Sequence, residues 1–442
     1  MTSLPADRAD SPDELADELA HAQRHTVRTL VTTQAIGGVG LSSAIAVAAL
    51  LAKDVTGSES LSGLAQTAQV LGAAVSAALL AGYMAQRGRR PGLTLGYLVG
   101  ALGAGLCIVA GTVRSFSVLL VGAVLLGAVT AANQQTRYAA TDLAVPARRG
   151  RDLSTVVWST TIGSVLGPNL TGPGGVVAGW LHLPSRTGPF VISLVTLVVT
   201  AVVMAVRLRP DPLLLARAAR RRDPAGDGAE ERTTDLRTAW RVVRHTPLVL
   251  AAALGLGLTH AVMVSVMVMT PIHMDHGGAS LEVIGLVISA HVLGMYAVSP
   301  LVGRLVDRCG SPLVLGMGGL ILLSALVLAG LSAPGASPGL GVGLFLLGLG
   351  WSFGSVGSST LLTAATPAVH RPRVQGLVDM TTGFTAAACG AVAGVVVGSF
   401  GYSWLNVGAA VLAFAVVLVA IGAGRRASES DEHLAGVAAG QE

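Results

Sequence analysis

Charged residues and lysine are scarce in this sequence. Only 12% of its 442 residues are charged, about half of the fraction that is usual in a soluble domain. Lys53 is the single lysine, and it does not belong to a GxxxxGK[ST] loop, so a P-loop ATPase is excluded. The sequence also contains no HExxH motif. We therefore predict that the protein is not an enzyme, and we expect no cofactor.

Cysteine is also rare. Cys107, Cys309 and Cys389 lie far apart and form no CxxC pair. This spacing excludes a disulfide framework and leaves each cysteine as a small apolar residue. The start of the chain is polar and acidic, and it lacks the basic start and apolar core of a cleavable signal peptide.

Apolar residues, in contrast, make up 52% of the chain, whose mean hydropathy is +0.67. A helix needs roughly 20 apolar residues to cross the hydrocarbon core of a bilayer. The 57 glycines also suit helices that pack closely in lipid. The apolar runs predict transmembrane helices near residues 29–52, 60–82, 92–113, 116–140, 153–181, 188–207, 248–271, 281–302, 312–332, 338–366, 375–400 and 403–423. The predicted fold is an all-α membrane protein with twelve transmembrane helices.

The distribution of arginine predicts how these helices cross the membrane. Of the 29 basic residues, all but one are arginine, and nearly all of them fall in alternate loops. This asymmetry follows the positive-inside rule, predicts that both termini lie in the cytoplasm, and argues against a nucleic-acid partner. An arginine-rich stretch in the middle predicts a linker, and one interpretation of it includes an amphipathic helix on the membrane. The predicted parts are a cytoplasmic N-terminal tail (1–28), a six-helix bundle (29–207), a cytoplasmic interdomain linker (208–247), a second six-helix bundle (248–423) and a cytoplasmic C-terminal tail (424–442).

The two halves of the chain carry related motifs. Gly82-Tyr-Met-Ala-Gln-Arg-Gly-Arg-Arg90 follows the second predicted helix, and Gly303-Arg-Leu-Val-Asp-Arg-Cys-Gly-Ser311 follows the eighth, 221 positions later. A shared offset indicates an internal parallel repeat. Both motifs resemble the loops between helices 2 and 3 and helices 8 and 9 of the major facilitator superfamily (MFS). The resemblance implies two pseudo-symmetric six-helix bundles that give alternating access to a site near the midplane.

On this resemblance, four residues on the cytoplasmic side take part in gating and coupling, namely Gln86, Arg87, Asp307 and Arg308. Asp307 can accept hydrogen bonds from a neighbouring helix end or pair with an arginine. Gln86 stands where the family usually has an aspartate, so the first copy of the motif lacks the acid on which this interaction depends.

The fifth predicted helix contains a pattern of glycine and proline. Gly163, Gly167, Pro168 and Gly172 resemble the GxxxGP motif of the same superfamily, which is best known from proton-coupled exporters. Small residues let helices cross closely, and proline bends a helix. The pattern therefore fits either a packing kink or an exporter.

Methionine and histidine are concentrated at one place in the second half. Five of the ten methionines and four of the ten histidines fall within residues 260–295. Met263 and Met267 form an MxxxM pair on the seventh predicted helix, and His291 and Met295 form an HxxxM pair on the eighth. Residues four apart share one face of a helix, about 6 Å apart along its axis. Each pair can therefore present two ligands on one side.

Four further residues extend this pattern. His260 shares the face of Met263, whereas His273, Met274 and His276 are expected in an outer loop, where they would capture an ion. Thioether and imidazole ligands suit Cu(I), and a histidine inside a membrane is a candidate functional residue by default. The alternative is that the methionines fill space in lipid or line a pocket for an organic substrate.

The two pairs, in which Met267 and His291 are 24 positions apart, resemble the CcoA-like copper importers of the superfamily. This resemblance implies that Met263, Met267, His291 and Met295 are the copper ligands. Close relatives in that group resemble riboflavin transporters, so a riboflavin-like solute is an alternative substrate.

Two further charged residues lie at membrane depth. Arg137, near the cytoplasmic end of the fourth predicted helix, can orient a substrate, pair with Asp142 or snorkel to the surface. Asp379, about two turns into the eleventh, can carry a coupling proton or pair with a basic loop residue.

The sequence thus predicts a secondary transporter in the cytoplasmic membrane of a bacterium, acting as a monomer. Its leading substrate is Cu(I), taken up by alternating access. A proton-coupled exporter of small organic compounds, with Asp379 as the proton carrier, is the second hypothesis. A sensor that keeps the fold but moves nothing is the third, and a polar cavity at the midplane would argue against it.

Overall fold

The computed structural model describes residues 12–57, 62–221, 235–279, 281–335 and 338–439. Within these ranges the regular structure is helical, with no strand. Eleven of the helical stretches found there are long and apolar enough to span a membrane. The predicted tails and linker lie partly outside the described residues, at 1–11, 222–234 and 440–442.

The helices of the first half are α1 (Pro12–Thr56), α2 (Ser62–Arg87), α3 (Arg89–Val113), α4 (Phe116–Ala139), α5 (Arg149–Asn169), α6 (Thr171–Trp180), α7 (Gly188–Arg207), α8 (Pro212–Arg221) and α9 (Leu236–His245). Those of the second half are α10 (Pro247–His276), α11 (Leu281–Tyr296), α12 (Ser299–Cys309), α13 (Ser311–Leu331), α14 (Pro338–Ala365), α15 (Arg371–Phe400) and α16 (Tyr402–Ala439).

The chain forms two compact units. The first consists of Met1–Val145, Thr155–Leu236 and Val369–Phe384, and the second of Pro146–Ser154, Arg237–Ala368 and Thr385–Glu442. The core of the first includes Leu30, Tyr97, Leu126, Phe190 and Leu197. The core of the second includes Val262, Leu322, Leu344 and Ala413. Each unit takes in a short segment from the other half of the sequence, and the domain boundaries proposed from the sequence stay a prediction.

The fifth helix is not the single helix over 153–181 that the sequence predicts. It is divided into α5 and α6 at Leu170, because Pro173 has no amide hydrogen to donate to the carbonyl of Asn169. The amide of Leu170 instead donates to the carbonyl of Gly167, three residues back, at 3.0 Å. No candidate span covers α5 and α6, so eleven of the twelve predicted helices match candidate spans among the described residues.

The predicted eighth helix, 281–302, is divided as well. α11 ends at Tyr296 and α12 starts after two intervening residues, because Pro300 cannot donate to the carbonyl of Tyr296. α12 then continues to Cys309, so most of the motif that begins at Gly303 is helical rather than the loop that was expected.

The turns at the end of both motifs share one backbone conformation. Gly88, before α3, has φ +97°, and Gly310, before α13, has φ +85°. These positive values favour glycine, because a β-carbon would be strained there. The two glycines lie 222 positions apart, whereas the first residues of the two motifs lie 221 positions apart. The matching turns are consistent with the internal repeat.

The glycines of α5 serve to pack this helix against α1. A β-carbon on Gly163 would overlap the backbone of Gly38, and one on Gly167 would overlap Ser42. The hydroxyl of Ser43 also donates to the carbonyl of Gly167 at 3.0 Å. Gly172, in contrast, faces open space. These contacts support the packing interpretation for the first two glycines and not for the third.

We expect Gly163→Val to destabilise the protein by about 1–3 kcal/mol, because the added atoms must separate α1 from α5. The thermal unfolding midpoint in detergent measures the effect. Gly172→Val is the matched control, because it adds the same atoms at an exposed helical site. An equal loss of stability in both variants would contradict the packing role of Gly163.

Candidate functional site

Three of the four predicted copper ligands come together in the second unit. Met263 on α10 and Met295 on α11 pack with Trp351 of α14, and their exposed fractions are 7%, 7% and 5%. Met267 packs against the same cluster and is half-buried. The spacing of four residues explains the result, since both methionines of α10 turn to one side of the helix. Thioether groups from two helices therefore share one apolar site.

An aromatic frame holds this thioether cluster. The indole nitrogen of Trp351 donates a hydrogen bond of 2.9 Å to Nδ1 of His260. Tyr296 contacts the same indole edge-on, with 5.6 Å between ring centroids. Sequence reasoning singled out His260 but missed Trp351. The available signal was a tryptophan placed between the small residues Gly350 and Ser352.

His291 is held in an orientation that suits a metal ligand. His291 is only 1% exposed, and its Nδ1 lies 2.9 Å from the carbonyl oxygen of Leu344. Because a carbonyl can only accept, Nδ1 carries the hydrogen and Nε2 presents its lone pair. Nε2 is buried and has no hydrogen-bond partner among the described residues. A histidine that donates one ring nitrogen to a backbone carbonyl is the usual arrangement of a metal-binding imidazole.

The donor set is unlike a hard-metal site. No group of three or more His, Cys, Asp or Glu side chains placed to hold a metal occurs in the described part of the chain. The predicted set instead combines one imidazole with three thioethers. Such a set selects soft ions.

The outer residues differ from the prediction. The stretch from His273 to His276 is the last turn of α10 rather than a loop, because the first helix-ending residues are Gly277 and Gly278. Met274 is buried in the core of the second unit, and the ring of His273 stacks on Tyr402 at 4.1 Å. His276 is exposed. The expectation of three ligands in an outer loop is therefore corrected.

The first unit contains a second set of buried polar groups. Arg137 does not pair with Asp142, which was one of the expected arrangements, and it does not snorkel, because it is buried. Its guanidinium lies 2.7 Å from Asp379, and the hydroxyl of Tyr138 donates to the same carboxylate at 3.3 Å. The second carboxylate oxygen accepts from Gln135 at 2.9 Å. Both oxygens of Asp379 are therefore engaged, with the basic partner on α4 rather than in a loop.

Arg89 is the centre of this network, and sequence reasoning missed it. Its guanidinium pairs with Asp142 at 2.8 Å and also donates to Gln135 at 3.0 Å and to Gln375 at 2.8 Å. Arg89 follows the turn at Gly88 and looks in the sequence like one more basic loop residue. Its position at the start of α3, directly after a positive-φ glycine, is the signal that separates it from Arg87, which is exposed.

The acid of the second motif caps a helix. The carboxylate of Asp307 accepts hydrogen bonds from the backbone amides of Gly150 and Arg151, at 2.7 and 2.9 Å, at the start of α5. A carboxylate is favourable there because the helix dipole places positive charge at an amino terminus. Gln86 and Arg308 are exposed. The role of these residues in gating stays a prediction.

These features define a multi-pass helical membrane protein with a buried thioether cluster in one unit and a buried charge network in the other. The family model for the Major Facilitator Superfamily matches residues 30–279 and 253–439. The chain therefore belongs to the major facilitator superfamily, a family of transporters rather than enzymes.

Individual relatives give the same family. The chain is 36% identical to the uncharacterized MFS-type transporter YddS of Bacillus subtilis over 411 residues, which cover 92% of each chain. It is 30% identical to the riboflavin transporter RfnT of Brucella anthropi, over 88% of this chain and 92% of the relative. Among solved structures, the human organic anion transporter MFSD10 aligns with a TM-score of 0.71 at 17% identity, covering 90% of this chain and 99% of that one. The structural match supports the fold alone.

Proposed function

We propose that this protein takes up Cu(I) across the membrane through a site formed by Met263, Met267, His291 and Met295. The observation that carries the proposal is the buried thioether cluster on α10 and α11, with His291 one turn before Met295 on the same helix. The Nε2 lone pair of His291 is available, because Nδ1 is committed to Leu344.

The chemistry of these groups favours a soft monovalent ion. Thioether sulfur and neutral imidazole bind Cu(I) well, and they compete poorly for Mg²⁺ or Ca²⁺, which require oxygen ligands. The cluster carries no negative charge, so a monovalent ion costs less to bring out of water there than a divalent one. The face of an indole such as Trp351 also attracts a cation. All three properties favour Cu(I) or its analogue Ag(I).

The transport step that we propose is alternating access driven by an ion gradient or by the copper gradient itself. The arginine distribution supports a location in the bacterial cytoplasmic membrane with both termini in the cytoplasm. In this proposal the protein acts as a monomer and needs no cofactor. The engagement of both Asp379 oxygens leaves the exporter hypothesis without a free carboxylate at that position.

Metal binding to the purified protein tests the proposal. We expect Ag(I), or Cu(I) kept reduced, to bind with a stoichiometry of about one and to change the fluorescence of Trp351. The variant Met263→Leu/Met267→Leu/Met295→Leu conserves volume and removes all three sulfurs, so affinity should fall at least about tenfold. Met317→Leu on α13 is the matched control. No binding to the wild type, or equal binding to the triple variant, would refute the copper site.

A riboflavin-like solute is the second candidate. The RfnT relative favours it, as do Trp351 and Tyr296, whose rings can stack on a flat heterocycle. Riboflavin added to the same preparation distinguishes the two candidates. Binding of riboflavin that survives the triple methionine variant, without binding of Ag(I), would replace the copper proposal with this one.

A further inference from the structure

The short helix α9 differs from the membrane-spanning helices in its composition. Its sequence, Leu236-Arg-Thr-Ala-Trp-Arg-Val-Val-Arg-His245, contains three arginines and no acidic residue. It ends one residue before α10, whose first residue is Pro247 and which is itself a candidate membrane span. α9 therefore lies directly beside the point where the chain enters the membrane.

The side chains of α9 are sorted around the helix. Ala239 and Val243, four residues apart, are buried against the protein. Leu236 and Trp240, also four apart, flank this buried edge and are 45% and 49% exposed. The exposed pair is large and apolar, so α9 turns an uncovered hydrophobic edge away from the protein.

The arginines form the adjoining face. Arg237, Arg241 and Arg244 are exposed, and none of them forms a hydrogen bond or ion pair with a described residue. Around the helix they lie next to Leu236 and Trp240, since residues three and four apart are neighbours on the helix surface. A basic face beside an exposed tryptophan is the composition of a helix that lies in a membrane interface.

We propose that α9 binds the headgroups of anionic phospholipids through Arg237, Arg241 and Arg244 while Leu236 and Trp240 enter the boundary between headgroups and acyl chains. The charge complementarity is specific, because juxtamembrane basic clusters attract anionic lipid within a Debye length of the surface. The arginine distribution predicts that this surface is the cytoplasmic one. The proposal is independent of which solute is transported.

Fluorescence quenching by brominated lipid tests the proposal on the full chain in proteoliposomes. The signal of Trp240 is the difference between the wild type and Trp240→Phe. Brominated phosphatidylglycerol should quench this signal at least about twofold more than brominated phosphatidylcholine at an equal mole fraction. The variant Arg237→Gln/Arg241→Gln/Arg244→Gln should lose the preference. Arg207→Gln/Arg209→Gln/Arg425→Gln removes the same charge elsewhere and should keep it.

A salt titration of the wild type provides a second measurement that needs no variant. High salt should reduce the preference for phosphatidylglycerol, because it screens exposed charges. Equal quenching by both lipids would overturn the proposal. Absence of quenching by either lipid would place Trp240 in water and overturn it as well.

Discussion

Asp142→Ala is expected to destabilise the protein by about 3–5 kcal/mol, because it leaves the guanidinium of Arg89 buried without its carboxylate. The side chains of this ion pair are 0% and 2% exposed, so water cannot replace the lost partner. Gln135 and Gln375 would still bond to Arg89, but an amide oxygen offsets only part of a full buried charge. SDS titration in mixed micelles measures the change in unfolding free energy.

A double variant separates the charge from the packing. Arg89→Met/Asp142→Leu removes both charges and keeps much of the volume, so we expect it to recover more than half of the loss caused by Asp142→Ala. An exposed ion pair in the same unit, Arg186 with Asp54, is the matched control. Asp54→Ala should cost less than about 1 kcal/mol. Equal losses in Asp142→Ala and Asp54→Ala would contradict the importance of burial.

The ion pairs of this network show what a sequence alone cannot predict. Arg137 and Asp142 are five residues apart, and a local pairing was a reasonable expectation. The actual partners, Asp379 and Arg89, lie 242 and 53 positions away. Hydropathy and helical period carry no information about contacts at such separations, because they describe one helix at a time.

The thioether cluster was predictable to a greater extent, and the reason is local. The spacing of four residues fixes the face that Met263 and Met267 share, whatever helix packs against them. Trp351 comes from α14, far along the chain, so no spacing rule could bring it to the cluster. The breaks at Leu170 and near Tyr296 follow from Pro173 and Pro300, whose effects were present in the sequence but were outweighed there by the apolar runs around them.

His291→Gln is expected to lower Cu(I) uptake into vesicles at least about tenfold, which is the second large effect. Glutamine has nearly the same bulk, but its amide offers a hard oxygen or a non-basic nitrogen where Nε2 of imidazole offers a soft lone pair. His291 also stabilises the fold, because its Nδ1 donates a hydrogen bond to the carbonyl of Leu344. Loss of that bond alone would lower stability without changing the ion that is bound.

His291→Met distinguishes these two roles. Methionine cannot bond to Leu344, but it supplies a soft sulfur, so uptake should return in part while the unfolding midpoint stays as low as that of His291→Gln. His21→Gln, an exposed site on α1, is the control for the exchange itself. If uptake instead follows the unfolding midpoint through all three variants, His291 acts through packing alone. Cu(I) would then depend on the three thioethers without an imidazole.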